Sequence, residues 1–147
     1  MPNISKRDMI RSAGIVIVRK VKGEYNFLLL RSYNFFDFPK GRQNQGEALL
    51  ETAIRETEEE TTIKSSELDF KWGKESYTTE PYLKGKKIGT YFLAETSREV
   101  IELPISPELG KPENDGWVWA SYEKAKPLTN ARIGKVIDWA WNKIKGQ

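Results

Sequence analysis

The stretch from Gly41 to Ile63 constrains this chain more than any other. A polar loop, Arg42 to Gly46, leads into a segment from Glu47 to about Thr62 that reads as a helix. Leu50, Ile54, Thr57 and Thr61 fall on one stripe at helical spacing, and that stripe needs a sheet to lie on. Glu56, Glu59 and Glu60 are three or four residues apart, or adjacent, so their carboxylates crowd one patch of the same helix. Like charges at that spacing repel, and a divalent cation would offset the cost. A merely solvated acidic face is the plain alternative. Glu51–Arg55 and Arg55–Glu59 read as i,i+4 pairs of opposite charge, worth about 0.3–0.5 kcal/mol each when exposed.

The flanking segments supply the sheet. Ser12 to Arg19 is apolar and β-branched, and Tyr25 to Arg31 follows after a hairpin turn around Gly23. Pro39 argues against a central strand through Phe35–Pro39. Strand-like stretches recur at 67–72, 75–79, 87–95 and 116–120, with Pro104, Pro107 and Pro112 marking a long loop. Ile133, Val136, Ile137, Ala140, Trp141 and Ile144 give residues 130–145 a helical apolar face. Strands interrupted by one central and one terminal helix predict an α/β fold with a mixed β-sheet between helices. At 147 residues, 1–147 reads as a single domain.

The chain has no cysteine and no histidine. Thiol nucleophiles, Cys/His zinc clusters and histidine bases are therefore excluded. A metal must be held mainly by oxygen, which favours Mg²⁺, Mn²⁺ or Ca²⁺. A general base must be a carboxylate, lysine or tyrosine. The net charge is +3 although the central helix is acidic, so positive charge gathers elsewhere, at Lys40 and Arg42 and at Lys84, Lys86 and Lys87. Basic residues around an acidic metal site suit a polyanionic substrate. No apolar run is long enough to cross a membrane. Residues 1–8 lack the apolar core of a signal peptide, and the expected location is cytoplasmic.

The acidic segment resembles the Nudix box, G-x5-E-x7-R-E-U-x-E-E-x-G-U with U aliphatic. Gly41, Glu47, Arg55, Glu56, Glu59, Glu60 and Ile63 match it, while Thr57 and Thr62 depart from it. The resemblance implies a Nudix-type α/β/α sandwich and hydrolysis of a nucleoside diphosphate linked to another group, with Mg²⁺ or Mn²⁺ as cofactor. It places metal ligands at Glu56, Glu59 and Glu60, with the carbonyl of Gly41 as a further one. It makes Arg55 the residue that orients a motif glutamate, and Glu47 the residue that fixes the loop–helix geometry.

Further stretches, among them Phe38–Gly41, Tyr91–Ala94 and Pro112–Trp119, look like the asymmetrical diadenosine tetraphosphate hydrolases within that family. In that subgroup a glutamate before the last tryptophan assists catalysis or binds metal, and Glu113 falls there, with Asp115 close by. The base stays open among Glu59, Glu60 and Glu113. Lys40, Arg42, Lys84 and Lys87 are the candidate phosphate partners. Tyr77, Tyr82 and Tyr91 are the flat surfaces considered for a nucleobase, with Tyr91 read as buried and Tyr77 and Tyr82 preferred. Trp117 and Trp119 read as core. The expected substrate is a dinucleoside polyphosphate. The alternatives are the 5′ end of a triphosphorylated RNA, or a non-catalytic nucleotide- or RNA-binding role.

Overall fold

The computed structural model describes residues 9–146. The N-terminal segment 1–8, read above as lacking a signal peptide, lies outside the described residues. Two long strands, β1 (Ile10–Val21) and β2 (Glu24–Ser32), form the expected hairpin around Gly23. They pair only from Val18↔Phe27 to Val21↔Glu24 and then part. The short strands β3 (Phe35–Asp37) and β4 (Lys40–Arg42) fill the fork, β3 against the end of β2 and β4 against the start of β1. Phe38 and Pro39 break the strand between them, as a proline without an N–H requires. Gly14 makes the close approach possible, because a Cβ there would collide with the Pro39 carbonyl oxygen. That oxygen instead accepts the Ile15 N–H at 3.2 Å.

The box helix α1 (Leu49–Thr61) follows. Next come β5 (Tyr77–Thr78), β6 (Lys87–Glu95), a small hairpin of β7 (Ile105–Ser106) and β8 (Lys111–Pro112), then β9 (Gly116–Ala120), α2 (Tyr122–Leu128) and α3 (Ala131–Ile144). β6 runs parallel to β1 from Ile10↔Lys87 to Val18↔Glu95, and the other pairings are antiparallel, so the sheet is mixed. Alternation splits its side chains between two cores. Val16, Val18, Phe27, Leu29, Tyr91 and Leu93 pack with Ile133, Val136, Ile137 and Ala140 of α3. Ala13, Ile15, Ile17, Leu28, Leu30 and Phe92 pack with Ala53 and Ile63 on the α1 side. The result is the expected α/β/α sandwich. Each fully buried aliphatic side chain contributes roughly 1.5–3 kcal/mol.

Four local readings change. Residues 67–72 form no strand: a single-turn helix at Ser65–Glu67 and a lone bridge, Asp69↔Glu95, replace it, and Gly73 turns the chain at φ 97°. Strand 75–79 shrinks to Tyr77–Thr78. The buried face of α1 is centred on Thr52, Ala53, Thr57, Glu60 and Thr61, with Leu50 and Ile54 only half-buried at its margin. Glu51 does not pair with Arg55. Ala48 at the helix start has no side-chain acceptor, so Glu51 turns back to accept the Ala48 N–H at 2.8 Å.

Candidate active site

Arg55 organises the N-terminal end of the site. Its Nε and Nη2 fork onto Glu47 at 2.6 and 3.1 Å, its Nη1 donates to Glu56 at 2.7 Å and to Glu59 at 3.2 Å, and Nη2 also donates to the Arg42 carbonyl at 3.0 Å. Glu47 in turn accepts from the Asn44 N–H and the Thr52 hydroxyl. These contacts pull the Glu47 carboxyl down to about 2, with Arg55 the largest cause, and raise Arg55 above its ordinary value. Loop and helix are thereby tied through one guanidinium. Gly41 lies directly against Glu56, where a Cβ would collide with the carboxylate. That is the physical reason for glycine at this position.

Three carboxylates converge at the other end. Glu56, Glu60 and Glu113 each offer an oxygen within 4.8 Å of the others. Glu60 is only 7% exposed; its Oε1 accepts from Asn114 Nδ2 at 3.2 Å, and its Oε2 is buried with no hydrogen-bond partner. Burial, then the close approach of the Glu56 carboxyl and the charge of Glu113, push Glu60 up to about 10. Glu113 is raised too, by desolvation first and then by Glu56. Asp115 is not a member of this group. It accepts from Arg31 Nε at 2.7 Å and from the Tyr33 N–H at 3.2 Å, which pins the Glu113 loop to β2. Glu59 is also outside the group, exposed and facing Arg55.

The cluster opens on a cleft of about 590 Å³ that runs past Arg42, Arg55 and Glu59 to Ile105 and Glu108. A hollow of about 260 Å³ adjoins it, lined by Phe35, Asp37, Lys40, Glu60, Glu113 and Asn114. Lys40 stands 3.6 Å from Asp37, whose carboxyl burial holds above its usual range. Phe35 is 70% exposed, and Trp117, read from sequence as core, is 37% exposed. Trp119 is half-buried, with its indole N–H on the Glu99 carbonyl.

None of the three tyrosines lines the cleft or the hollow, although the Tyr91 hydroxyl donates to Asp37 Oδ1 at 3.4 Å. Tyr77 lies on the α3 face, its ring 5.9 Å from that of Trp139. Tyr82 lies under the Arg132 guanidinium of α3 at 3.8 Å, and Tyr91 is fully buried. Lys87 opens β6 opposite Ile10, while Lys84 and Lys86 are exposed on the turn before it. Asn114 and Phe35 carry no motif of their own. The only pointers to them are a neighbouring acid, Glu113, and an aromatic run before Pro39.

A hard, oxygen-only donor set around a buried carboxylate oxygen without a partner fits a divalent cation. The comparisons with known proteins agree with the geometry. The NUDIX domain model matches residues 9–140. The chain is similar to the asymmetrical bis(5′-nucleosyl)-tetraphosphatase of Caenorhabditis elegans, with 33% identity over 88% of this chain and 92% of that protein. It is 35% identical to the Rattus norvegicus enzyme of the same name over 81% of this chain and 84% of that one. A crystal structure of a C. elegans Ap4A hydrolase binary complex superposes with a TM-score of 0.79 at 28% identity, covering 95% of this chain and all of that one. The chain belongs to the Nudix hydrolase family, enzymes that act on phosphoric anhydride bonds.

Proposed function

We propose that this enzyme hydrolyses dinucleoside polyphosphates, cutting diadenosine tetraphosphate to ATP and AMP in the cytoplasm. The observation that carries the reading is the convergence of Glu56, Glu60 and Glu113 around an unpartnered buried oxygen, at the mouth of a cleft flanked by cations. These three carboxylates would hold Mg²⁺ or Mn²⁺, with Gly41 beside them. Such an ion neutralises phosphate charge and acidifies a water. The rest falls to the chain. Arg55 keeps Glu56 aimed by a 2.7 Å hydrogen bond and ties the loop to the helix through Glu47. Lys40 and Arg42 stand beside the cluster to receive phosphate oxygens. Glu59, Glu60 or Glu113 accepts the proton of the attacking water. Phe35, which lines the hollow, and Trp117, paired with Leu30 of its lining, are exposed and offer flat faces to a nucleobase in place of Tyr77 and Tyr82.

The competing reading, pyrophosphate removal from a 5′-triphosphorylated RNA, draws on the exposed lysines 84 and 86. Both substrates are to be offered in parallel with Mg²⁺, with solvent ¹⁸O and mass spectrometry of the products. ATP and AMP from the dinucleotide are expected. An untouched dinucleotide, with pyrophosphate or phosphate released from the RNA, would move the assignment.

A further inference from the structure

Thr62 stands where the motif has glycine, and it adopts the left-handed conformation that glycine provides, with φ 63°. A β-branched side chain is strained there. Its partner is Arg98, from the segment after β6. Arg98 Nη1 donates to Thr62 Oγ1 at 2.6 Å and Nη2 donates to the Thr62 carbonyl at 3.1 Å. The same guanidinium is anchored on Glu67, Nε to Oε2 at 3.0 Å and Nη2 to Oε1 at 2.7 Å. The Thr62 hydroxyl donates onward to the Thr61 carbonyl at 2.6 Å, and the Thr62 N–H donates to the Glu58 carbonyl at 2.9 Å. The Glu58, Thr61 and Thr62 carbonyls at the end of α1 therefore each have a donor. The last turn of α1 has no basic residue of its own, so Arg98 also supplies a cation at the negative end of the helix dipole.

We propose that Arg98 is a positioning residue that replaces the motif glycine. It locks Thr62 in the left-handed state by hydrogen bonds, and so fixes the last turn of α1, which carries Glu59 and Glu60. The inference rests on the metal-binding reading of Glu60 given above. Released from Arg98, Thr62 relaxes toward negative φ, the last turn loosens, and Glu60 leaves its place beside Glu56 and Glu113.

The test is a double-mutant cycle of Arg98→Ala and Thr62→Gly. Its readouts are Mn²⁺ affinity by the spin-resonance signal of free Mn²⁺, kcat and KM, and the melting temperature. Arg98→Ala is expected to weaken Mn²⁺ binding about tenfold and to lower kcat with KM nearly unchanged. In the Thr62→Gly background the same substitution is expected to cost less than about twofold. Arg98→Lys, which keeps the charge and loses the fork, replaces the alanine variant if that one does not fold, with the same expectation. Equal losses in both backgrounds overturn the proposal, as does a lower melting temperature with unchanged Mn²⁺ affinity. A wild type that binds no Mn²⁺ refutes the metal reading instead. The cycle in melting temperature then decides whether Arg98 holds Thr62, and additive shifts there overturn it.

Discussion

Glu60→Gln separates the cost of the acidic cluster from its use. The folded-state pKa of Glu60 is raised from 4.5 to about 10, mainly by burial. The folded protein therefore keeps a proton that the unfolded chain releases above pH 4.5. Stability contributed by this group is full below that value and is lost as pH rises toward 10. Each unit is worth about 1.4 kcal/mol, so at pH 8 the penalty is at most about 5 kcal/mol, and it is shared with Glu56 and Glu113. Glutamine keeps the shape and the Asn114 contact while removing the ionisable group. Chelator-treated wild type is expected to lose stability in urea unfolding from pH 5 to pH 9. The variant is expected to show a flatter profile and to exceed wild type at pH 9 by about 1–3 kcal/mol. Millimolar Mg²⁺ should raise the wild-type midpoint, leave the variant nearly unmoved, and support turnover at least about 100-fold faster in wild type. Parallel pH profiles, or an equal gain from Mg²⁺ in both proteins, would refute the reasoning.

Gly41→Ala places a Cβ in the Glu56 carboxylate, so Mn²⁺ affinity is expected to fall at least about tenfold while circular dichroism stays that of the wild type. Glu47 is held down at about 2 by Arg55, so the stability it supplies is present above pH 4.5 and lost as pH falls through 2. Acid unfolding curves of wild type and Glu47→Gln should accordingly differ near pH 5 and converge near pH 2. Tyr77→Ala, which opens a gap against Trp139, should cost about 2 kcal/mol in urea unfolding with KM unchanged. Phe35→Ala and Trp117→Ala should raise KM for the dinucleotide several-fold and cost less stability than Tyr77→Ala.

Periodicity located the two long helices and the long strands, because alternation and helical spacing are local properties of a chain. Spacing also placed Glu56 and Glu60 on one face. It did not show which of the three helix glutamates turns inward. That depends on Arg55, whose five donors are divided among Glu47, Glu56, Glu59 and the Arg42 carbonyl, and which keeps Glu59 at the surface. The arrival of Asn114 and Glu113 from a loop 54 residues beyond Glu60 is likewise a tertiary event, set by Asp115 gripping Arg31. The face that Tyr77 takes was not legible for a related reason. A two-residue strand leaves no alternation to read, and the face Tyr77 occupies follows from its pairing with Tyr91, whose side chain belongs to the α3 core.

The fork between β1 and β2 explains why fold and site cannot be separated. Pro39 cannot extend a central strand, so the chain must break there, and β4 re-enters alongside β1 only because Gly14 leaves room for the Pro39 carbonyl. That re-entry puts Lys40 opposite Gly14 and Gly41 opposite Ala13, with Gly41 against Glu56. A buried carboxylate with one oxygen unpartnered is tolerated at Glu60 because two apolar layers already hold β1, β2 and β6 in register, independent of the cluster. Their contribution is large against the few kcal/mol that the cluster costs without a cation. Weakening the α3 face, for instance by Ile137→Ala at about 2–5 kcal/mol, should therefore make folding itself dependent on Mg²⁺. A variant that melts at the same reduced temperature with and without the ion would show that the carboxylates and the core do not share one folding equilibrium.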